Sequence, residues 1–333
     1  MQGTRILSRR ATTLAAIALA TPLASCGSDD TPEQTGEPAQ AAPSAAEFPK
    51  PSGTLDDLTT EIAPTDEIVA TPAGAIFTPE PKAQRVGFGL FNVDASQIPD
   101  AEVAVYAAQG ADGKALGPFP ARVENLKTES EFVAKTTSDD PEAATVVYVA
   151  DVPLKEAGEW RLLAAVKGDD GIQGTLFNTS LIVEPQPKIP AVGDPAPKVH
   201  TPTFEDVGPD VESIDTRVPP SSMHAEDLAD VLGEKPVVLL FATPALCVSR
   251  VCGPVVDVAE QVKSEYGDEV AFIHMEVYED NVPKPENVRS QLLAYGLQTE
   301  PWLFVIDADG KVSTRIEGAF SVAELERAVE RAL

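Results

Sequence analysis

Positive charge is scarce in this sequence: 25 Lys and Arg face 53 Asp and Glu, a formal net charge of −28. Binding to nucleic acid draws on counterion release at a basic face. No basic stripe is present, so nucleic acid is excluded as a partner. The acidic, solvated surface suits a protein that stays soluble beside an anionic membrane. Long hydrophobic runs are missing too, since the run at residues 11–24 is shorter than the roughly 20 apolar residues that span a bilayer. Cysteine is limited to Cys26, Cys247 and Cys252, so residues 67–185 must fold without a disulfide. Residues 27–66 hold no aromatic residue except Phe48 and are rich in Pro, Ala, Thr and acids. Such a segment buries too little surface to offset the entropy of ordering. It reads as a disordered acidic Pro-rich tether.

What is present suggests an exported chain of about two domains, given 333 residues of which 43% are hydrophobic. Arg5, Arg9 and Arg10 precede the apolar run, in the order of a secretory signal. Leu23-Ala24-Ser25-Cys26 resembles the lipobox of bacterial lipoproteins. The resemblance implies that residues 1–26 are a lipoprotein signal peptide, that Cys26 is the lipidation site, and that the protein is lipid-anchored at the extracytoplasmic face of the cell membrane. Ser8-Arg9-Arg10 also resembles a twin-arginine export signal, with Thr12 where that signal carries an aromatic. With Cys26 on its lipid, Cys247 and Cys252 remain, and in an oxidising compartment they are expected to pair.

Between residues 67 and 185, apolar runs at 85–91, 102–107, 145–152, 159–166 and 179–183 alternate with turn clusters and predict strands. Val146, Tyr148 and Ala150 fall on one face and Val147 and Val149 on the other. No helix is evident, so the region is expected to be an all-β immunoglobulin-like sandwich. It shows no catalytic constellation. A Pro-rich joint at 186–192 follows. From there the pattern predicts a helix at 223–232, a buried strand at 236–242, a helix at 254–266, a strand at 269–278 and a helix at 287–296. A hairpin at 302–316 turning at Asp309-Gly310 comes next, then a last helix from Ser321 with Glu324 closing a capping box. From the strand at 236 the order is βαβαββα, that of a thioredoxin-like α/β fold over residues 193–333.

Three segments resemble membrane-anchored thioredoxin-like proteins and peroxiredoxins: the entry Gly193-Asp194-Pro195-Ala196-Pro197, the strand-to-cysteine turn Phe241-Ala242-Thr243-Pro244-Ala245-Leu246-Cys247, and Thr299-Glu300-Pro301. The resemblance implies that Cys247 sits at the start of a helix, where amide groups and the dipole favour a thiolate. It implies that Cys252 resolves a mixed disulfide and that Pro301 is a cis-proline shaping the substrate groove. The function so implied is thiol–disulfide exchange with protein thiols or disulfides and an unidentified redox partner, with no cofactor and no metal. Four residues separate the cysteines, whereas thioredoxins have two. In a continuous helix their Cα atoms would lie roughly 8–9 Å apart, beyond the about 7 Å reach of a disulfide. The segment must be a loop, with the helix starting near Pro254, or a helix from Val248 kinked at Pro254. No buried acid underlies the pair, because Leu240 and Phe241 occupy that stretch. Thr243, Glu300 and Arg250 are the groups able to modulate the thiols, Glu300 by raising and Arg250 by lowering the thiol pKa.

Two other readings follow from neighbouring patterns. Peroxiredoxins with a Cys-x4-Cys pair place Thr-Pro just ahead of the first cysteine, one residue closer than Thr243-Pro244 stands here. Cys247, Cys252 and His274-Met275 resemble the soft ligands of Sco-type copper chaperones; a lone strand histidine reads as core. A noncatalytic envelope lipoprotein is the third class. Asp307-Ala308-Asp309-Gly310 is a hairpin turn, since the rest of a calcium-loop pattern is missing.

Overall fold

The computed structural model describes residues 40–185 and 188–333. The expected signal peptide, Cys26 and the first part of the expected tether lie outside the described residues. Residues 40–333 fall within one compact unit.

The first body opens with α1 (Leu55–Glu61) and carries ten strands: β1 (Ala63–Pro64), β2 (Ile68–Pro72), β3 (Ile76–Phe77), β4 (Gln84–Asn92), β5 (Val103–Gln109), β6 (Leu116–Asn125), β7 (Val146–Val152), β8 (Gly158–Gly168), β9 (Gly171–Leu176) and β10 (Leu181–Val183). A single turn, α2 (Lys135–Ser138), stands between β6 and β7. The strands run in the order β1-β9-β8-β5-β6-β7-β4-β2, with β10 joining β8 to β3. Strand β6 pairs its first half with β5 and its second half with β7, so it carries the chain round a corner. Inner faces from both ends of this continuous sheet share one core, from Phe88 and Tyr148 to Leu162 and Leu181.

Alternation on the strands decides what covers their outer faces. On β7, Val146, Tyr148 and Ala150 enter the sandwich core, while Val147 and Val149 face the second body. On β8, Leu162 and Ala164 point inward, and Leu163 and Ala165 pack against Phe48, Leu55, Leu58 and Ile62. This last contact corrects the expectation of a tether reaching Asp66. Thr54 caps α1 with a reciprocal Asp57 bond, and Leu55 and Leu58 are buried. The apolar second face of β8 needed a cover, and these sparse side chains supply it.

The second body comprises α3 (Phe204–Val207), α4 (Leu228–Val231), β11 (Val237–Phe241), α5 (Cys252–Tyr266), β12 (Ala271–Met275), α6 (Ser290–Ala294), β13 (Trp302–Ile306), β14 (Val312–Glu317) and α7 (Val322–Glu330). The expected βαβαββα order from β11 onward is present. Its sheet runs β12-β11-β13-β14, with β11 and β12 parallel and the other pairs antiparallel. Helices α5 and α7 cover one face over Val238, Leu240, Leu303 and Val305. Val237, Leu239, Phe241 and Phe304 fill the other with Tyr295. Strands buried on both faces read as unbroken apolar runs, which is why the core strands were legible. The helix expected at 223–232 is shorter, confined to α4, and the one at 287–296 divides into a 3₁₀ turn at Pro285–Asn287 and α6.

The joint at 186–192 is not a free linker where it is described. Ile189 is buried in the second body's core, and Arg315 donates to the Ile189 and Pro190 carbonyls at 3.2 and 3.0 Å. The two bodies also share apolar packing, since Leu126, Ala144, Val147 and Val149 join the cluster under α5 and α7. Polar contacts border it. Arg85 makes a two-pronged pair with Glu324 at 2.7 Å, and Arg122 reaches the same carboxylate at 3.1 Å. Arg217 holds Asp257 at 2.9 Å and the Phe132 carbonyl at 2.7 Å.

Candidate active site

Strand β11 ends at Phe241, and residues 242–251 form a loop before α5. The helix begins at Cys252, two residues ahead of Pro254 and four beyond Val248, so it matches neither sequence expectation fully. Pro254 occupies the third helical position, whose N–H has no partner within a helix. The first ladder bond runs from the Val255 N–H to the Val251 carbonyl at 3.1 Å. The cysteine loop is unwound by Arg250, which adopts φ +60°, and Val248 projects with 91% of its surface exposed. Gly253 permits close packing, because a Cβ there would lie 2.9 Å from Thr137 Oγ1 of α2.

The two thiols are unbonded and unequal. Cys247 is nearly buried and Cys252 wholly so. The Cys252 thiol donates towards the Cys247 sulfur, and this lowers the Cys247 pKa to about 6 against the opposing effect of burial, with help from Ser249 and from the Cys252 and Val251 amides. Ser249 Oγ lies 3.2 Å from that sulfur. Burial, then the hydrogen bond to Cys247 and the charge there, push the Cys252 thiol well up, although the Thr243 backbone amide favours its charged form. One sulfur is therefore poised as a thiolate and its neighbour as a thiol.

The other sequence-selected residues divide. The Glu300–Pro301 peptide is cis, with Pro301 buried, as the resemblance implied. Thr299 Oγ1 anchors that loop, donating to Glu317 at 2.7 Å and accepting from Trp302 Nε1 at 3.0 Å. Burial raises the Glu300 pKa to about 7, with added repulsion from Cys247 and Glu276. Glu300 thus stands near the thiols, as a partly buried acid contributed by a loop and not by the strand below. Arg250 does not serve the thiolate: its guanidinium turns to Asp140 at 3.2 Å and Glu142 at 3.4 Å. The Ala144 N–H bonds the Arg250 carbonyl at 3.0 Å, so the first body grips the cysteine loop. Thr243 is buried and acts through its amide; its hydroxyl has no hydrogen-bond partner among the described residues. A groove of about 710 Å³ runs past Val248 and Arg250, Thr299 and Glu300, with Phe91 and Val93 of the first body on its far wall.

His274 is not a lone core histidine. Its Nδ1 lies 3.2 Å from Asp215 Oδ2, its Nε2 3.1 Å from the Ala242 carbonyl, and His224 Nε2 is 3.0 Å from the same Asp215 oxygen. Both ring nitrogens of His274 are thus engaged away from the sulfurs, which removes it from the copper set read with Cys247 and Cys252. Burial works against charge on His274, and the Asp215 carboxylate overcomes it to hold the pKa up at about 9. Sequence reasoning missed this cluster because Asp215, His224 and His274 are far apart along the chain. Tyr278 was also missed; burial raises its pKa, as do the charges of Glu300 and both cysteines, which puts it within electrostatic reach of the thiols.

No family model matches the chain, and no curated protein does. Among solved structures it is similar to a putative thiol:disulfide interchange protein DsbE from Chlorobium tepidum, at 19% identity over 43% of this chain and 98% of that one, with a TM-score of 0.30. A thiol:disulfide interchange protein of the thioredoxin family from Chlorobium tepidum TLS is 21% identical over 43% of this chain and 97% of that one, with a TM-score of 0.27. The Lin-41 filamin domain is 14% identical over 35% of this chain and 93% of that one, with a TM-score of 0.20. Likenesses of this strength leave function to the geometry of the site.

Proposed function

We propose that this protein is a thiol–disulfide oxidoreductase of thioredoxin-like type, working at the extracytoplasmic face of the cell membrane from a lipid on Cys26. The observation that carries the reading is the unequal thiol pair at the start of α5, with Cys247 favoured as thiolate and Cys252 held as thiol. In the reducing direction the Cys247 thiolate attacks one sulfur of a substrate disulfide, forming a mixed disulfide and releasing the other sulfur as a thiolate. Cys252 then loses its proton and attacks the Cys247 sulfur. The substrate's second sulfur leaves as a thiolate, and a Cys247–Cys252 bond remains. Glu300, with a pKa near 7, is suited to take the Cys252 proton. The unwound loop before α5 lets the two sulfurs approach as the spacing demanded. Substrates are protein thiols or disulfides, bound in the groove beside cis-Pro301, with the first body as a docking wall.

The test is single-turnover exchange with a small disulfide, followed by trapping of free thiols. Cys252→Ala is expected to accumulate a mixed disulfide on Cys247, and Cys247→Ser to lose exchange. Exchange by Cys247→Ser at the parent rate would remove the assignment.

A further inference from the structure

We infer that Asp215, His224 and His274 bind one divalent transition-metal ion at a site separate from the thiol pair. The sequence pattern had grouped His274 with the cysteines as soft copper ligands, and nothing in it joined His274 to Asp215 and His224. The three residues come from the loop after residue 213, the loop before α4, and β12, and each is about 99% buried. One ligand atom from each, Oδ2, Nε2 and Nδ1, lies within 4.8 Å of the others. The carboxylate-to-imidazole separations of 3.0 and 3.2 Å suit donors around a single ion with bonds of roughly 2.0–2.2 Å. Two imidazoles and a carboxylate are a donor set for zinc, cobalt or nickel.

The surrounding hydrogen bonds favour an ion over protons alone. The Ala242 carbonyl can only accept, so His274 Nε2 carries the proton that faces it. Nδ1 then faces the Asp215 carboxylate at 3.2 Å, so a cation, either a proton on Nδ1 or a metal ion, must lie between them. If protons fill the cluster, Asp215 Oδ2 accepts from both imidazoles and also from the Ser221 N–H at 2.7 Å, three donors on an oxygen with two lone pairs. A shared ion uses one lone pair and leaves the other for Ser221. Asp215 Oδ1 is fixed by the Arg217 N–H at 2.8 Å, so the carboxylate is oriented from outside, as are ligands in metal sites. Ser221 Oγ lies 3.3 Å from His274 Nδ1, a further polar group beside the cluster. An ion here ties the 215–224 loop to β12 and, through Ala242, to the start of the cysteine loop.

The full chain carrying Cys247→Ser and Cys252→Ser, which removes thiol ligands and makes the result independent of the redox reading, is stripped with chelator and titrated with Co²⁺ and Zn²⁺. One equivalent of Co²⁺ with visible absorption is expected, together with a rise in Tm, and both are lost in Asp215→Asn and His224→Gln. Imidazole NMR of the same parent protein requires no further variant: Zn²⁺ should shift His224 and His274 and leave the exposed His200 unchanged. No stoichiometric uptake, uptake unaffected by both substitutions, or shifts confined to His200 would each overturn the site and leave a proton-filled network.

Discussion

Cys247 and Glu300 set the pH response of the site between them. The thiolate form of Cys247 is lost as pH falls through about 6. Attack on a small disulfide, or alkylation by iodoacetamide, should therefore be nearly flat above pH 7 and fall about tenfold per pH unit well below 6. An inflection near the unshifted value of 9 would show that neither Cys252 nor the amides support the sulfur. Glu300→Gln removes the proposed proton acceptor while leaving the thiolate in place. Formation of the mixed disulfide should keep its rate, and resolution by Cys252 should slow by roughly tenfold or more, as read by quenched single turnover. Equal resolution rates would release Glu300 from that role. Both cysteines and Glu300 were visible as residue types at suggestive spacings. Their inequality was not, since it depends on which amides, hydroxyls and carboxylates surround each sulfur.

At the level of elements, the cysteine loop owes its shape to its attachments. Arg250 sits at φ +60°, costly for a side chain with a Cβ, by about 1–2 kcal/mol when that chain is not glycine. Its ion pairs with Asp140 and Glu142 are half-exposed and worth about 0.2–1 kcal/mol each. Arg250→Gly should thus change stability by less than about 1 kcal/mol, whereas the β-branched Arg250→Val should cost about 1–2 kcal/mol and raise the Cys247 pKa by displacing the Val251 and Cys252 amides. Urea denaturation and thiol titration check the two effects; a neutral Arg250→Val would show that the loop tolerates other paths. The strand–helix order around this loop was legible because β11 and β13 are unbroken apolar runs and α7 carries a periodic apolar face and a capping box. The helix start was not, because Pro254 is compatible with the first or the third helical position.

Across the whole molecule, the joint between the bodies centres on Glu324. Burial works to raise its pKa, and the Arg85 and Arg122 guanidiniums outweigh this and hold it below the usual 4.5. A depressed folded-state pKa contributes stability that is present above about 4.5 and lost as pH falls through the folded value. Glu317, raised by burial, has the opposite sign: its contribution is lost as pH rises through its folded value. Glu324→Gln should therefore lack part of the acid-side loss seen in the parent protein. Arg85→Ala leaves a buried carboxylate with Arg122 alone, at a cost of roughly 2–4 kcal/mol, discounted from a fully buried pair because Arg85 is 19% exposed. Chemical denaturation at pH 7 and pH 4 measures both; an unchanged Arg85→Ala would mean that the joint is held by apolar packing alone. The apolar share is plain in β7, whose Val147 and Val149 face the second body's helices.

The local pattern by itself determined β4, β5, β7, β8 and β10 of the first body and the strands of the second, the last helix with its cap, the proline loop and the pair Cys247 and Cys252, because each depends on neighbours within a few residues. Tertiary structure alone decided that the residues around α1 cover β8, that β7 faces two cores, that Arg250 answers to Asp140 rather than to a thiolate, and that Asp215, His224 and His274 meet. These are contacts between residues distant along the chain, and their energies depend on burial and on the direction of side chains, which no periodicity records. The thiol pair stands on both: two cysteines found by spacing, and a difference between them created by the fold.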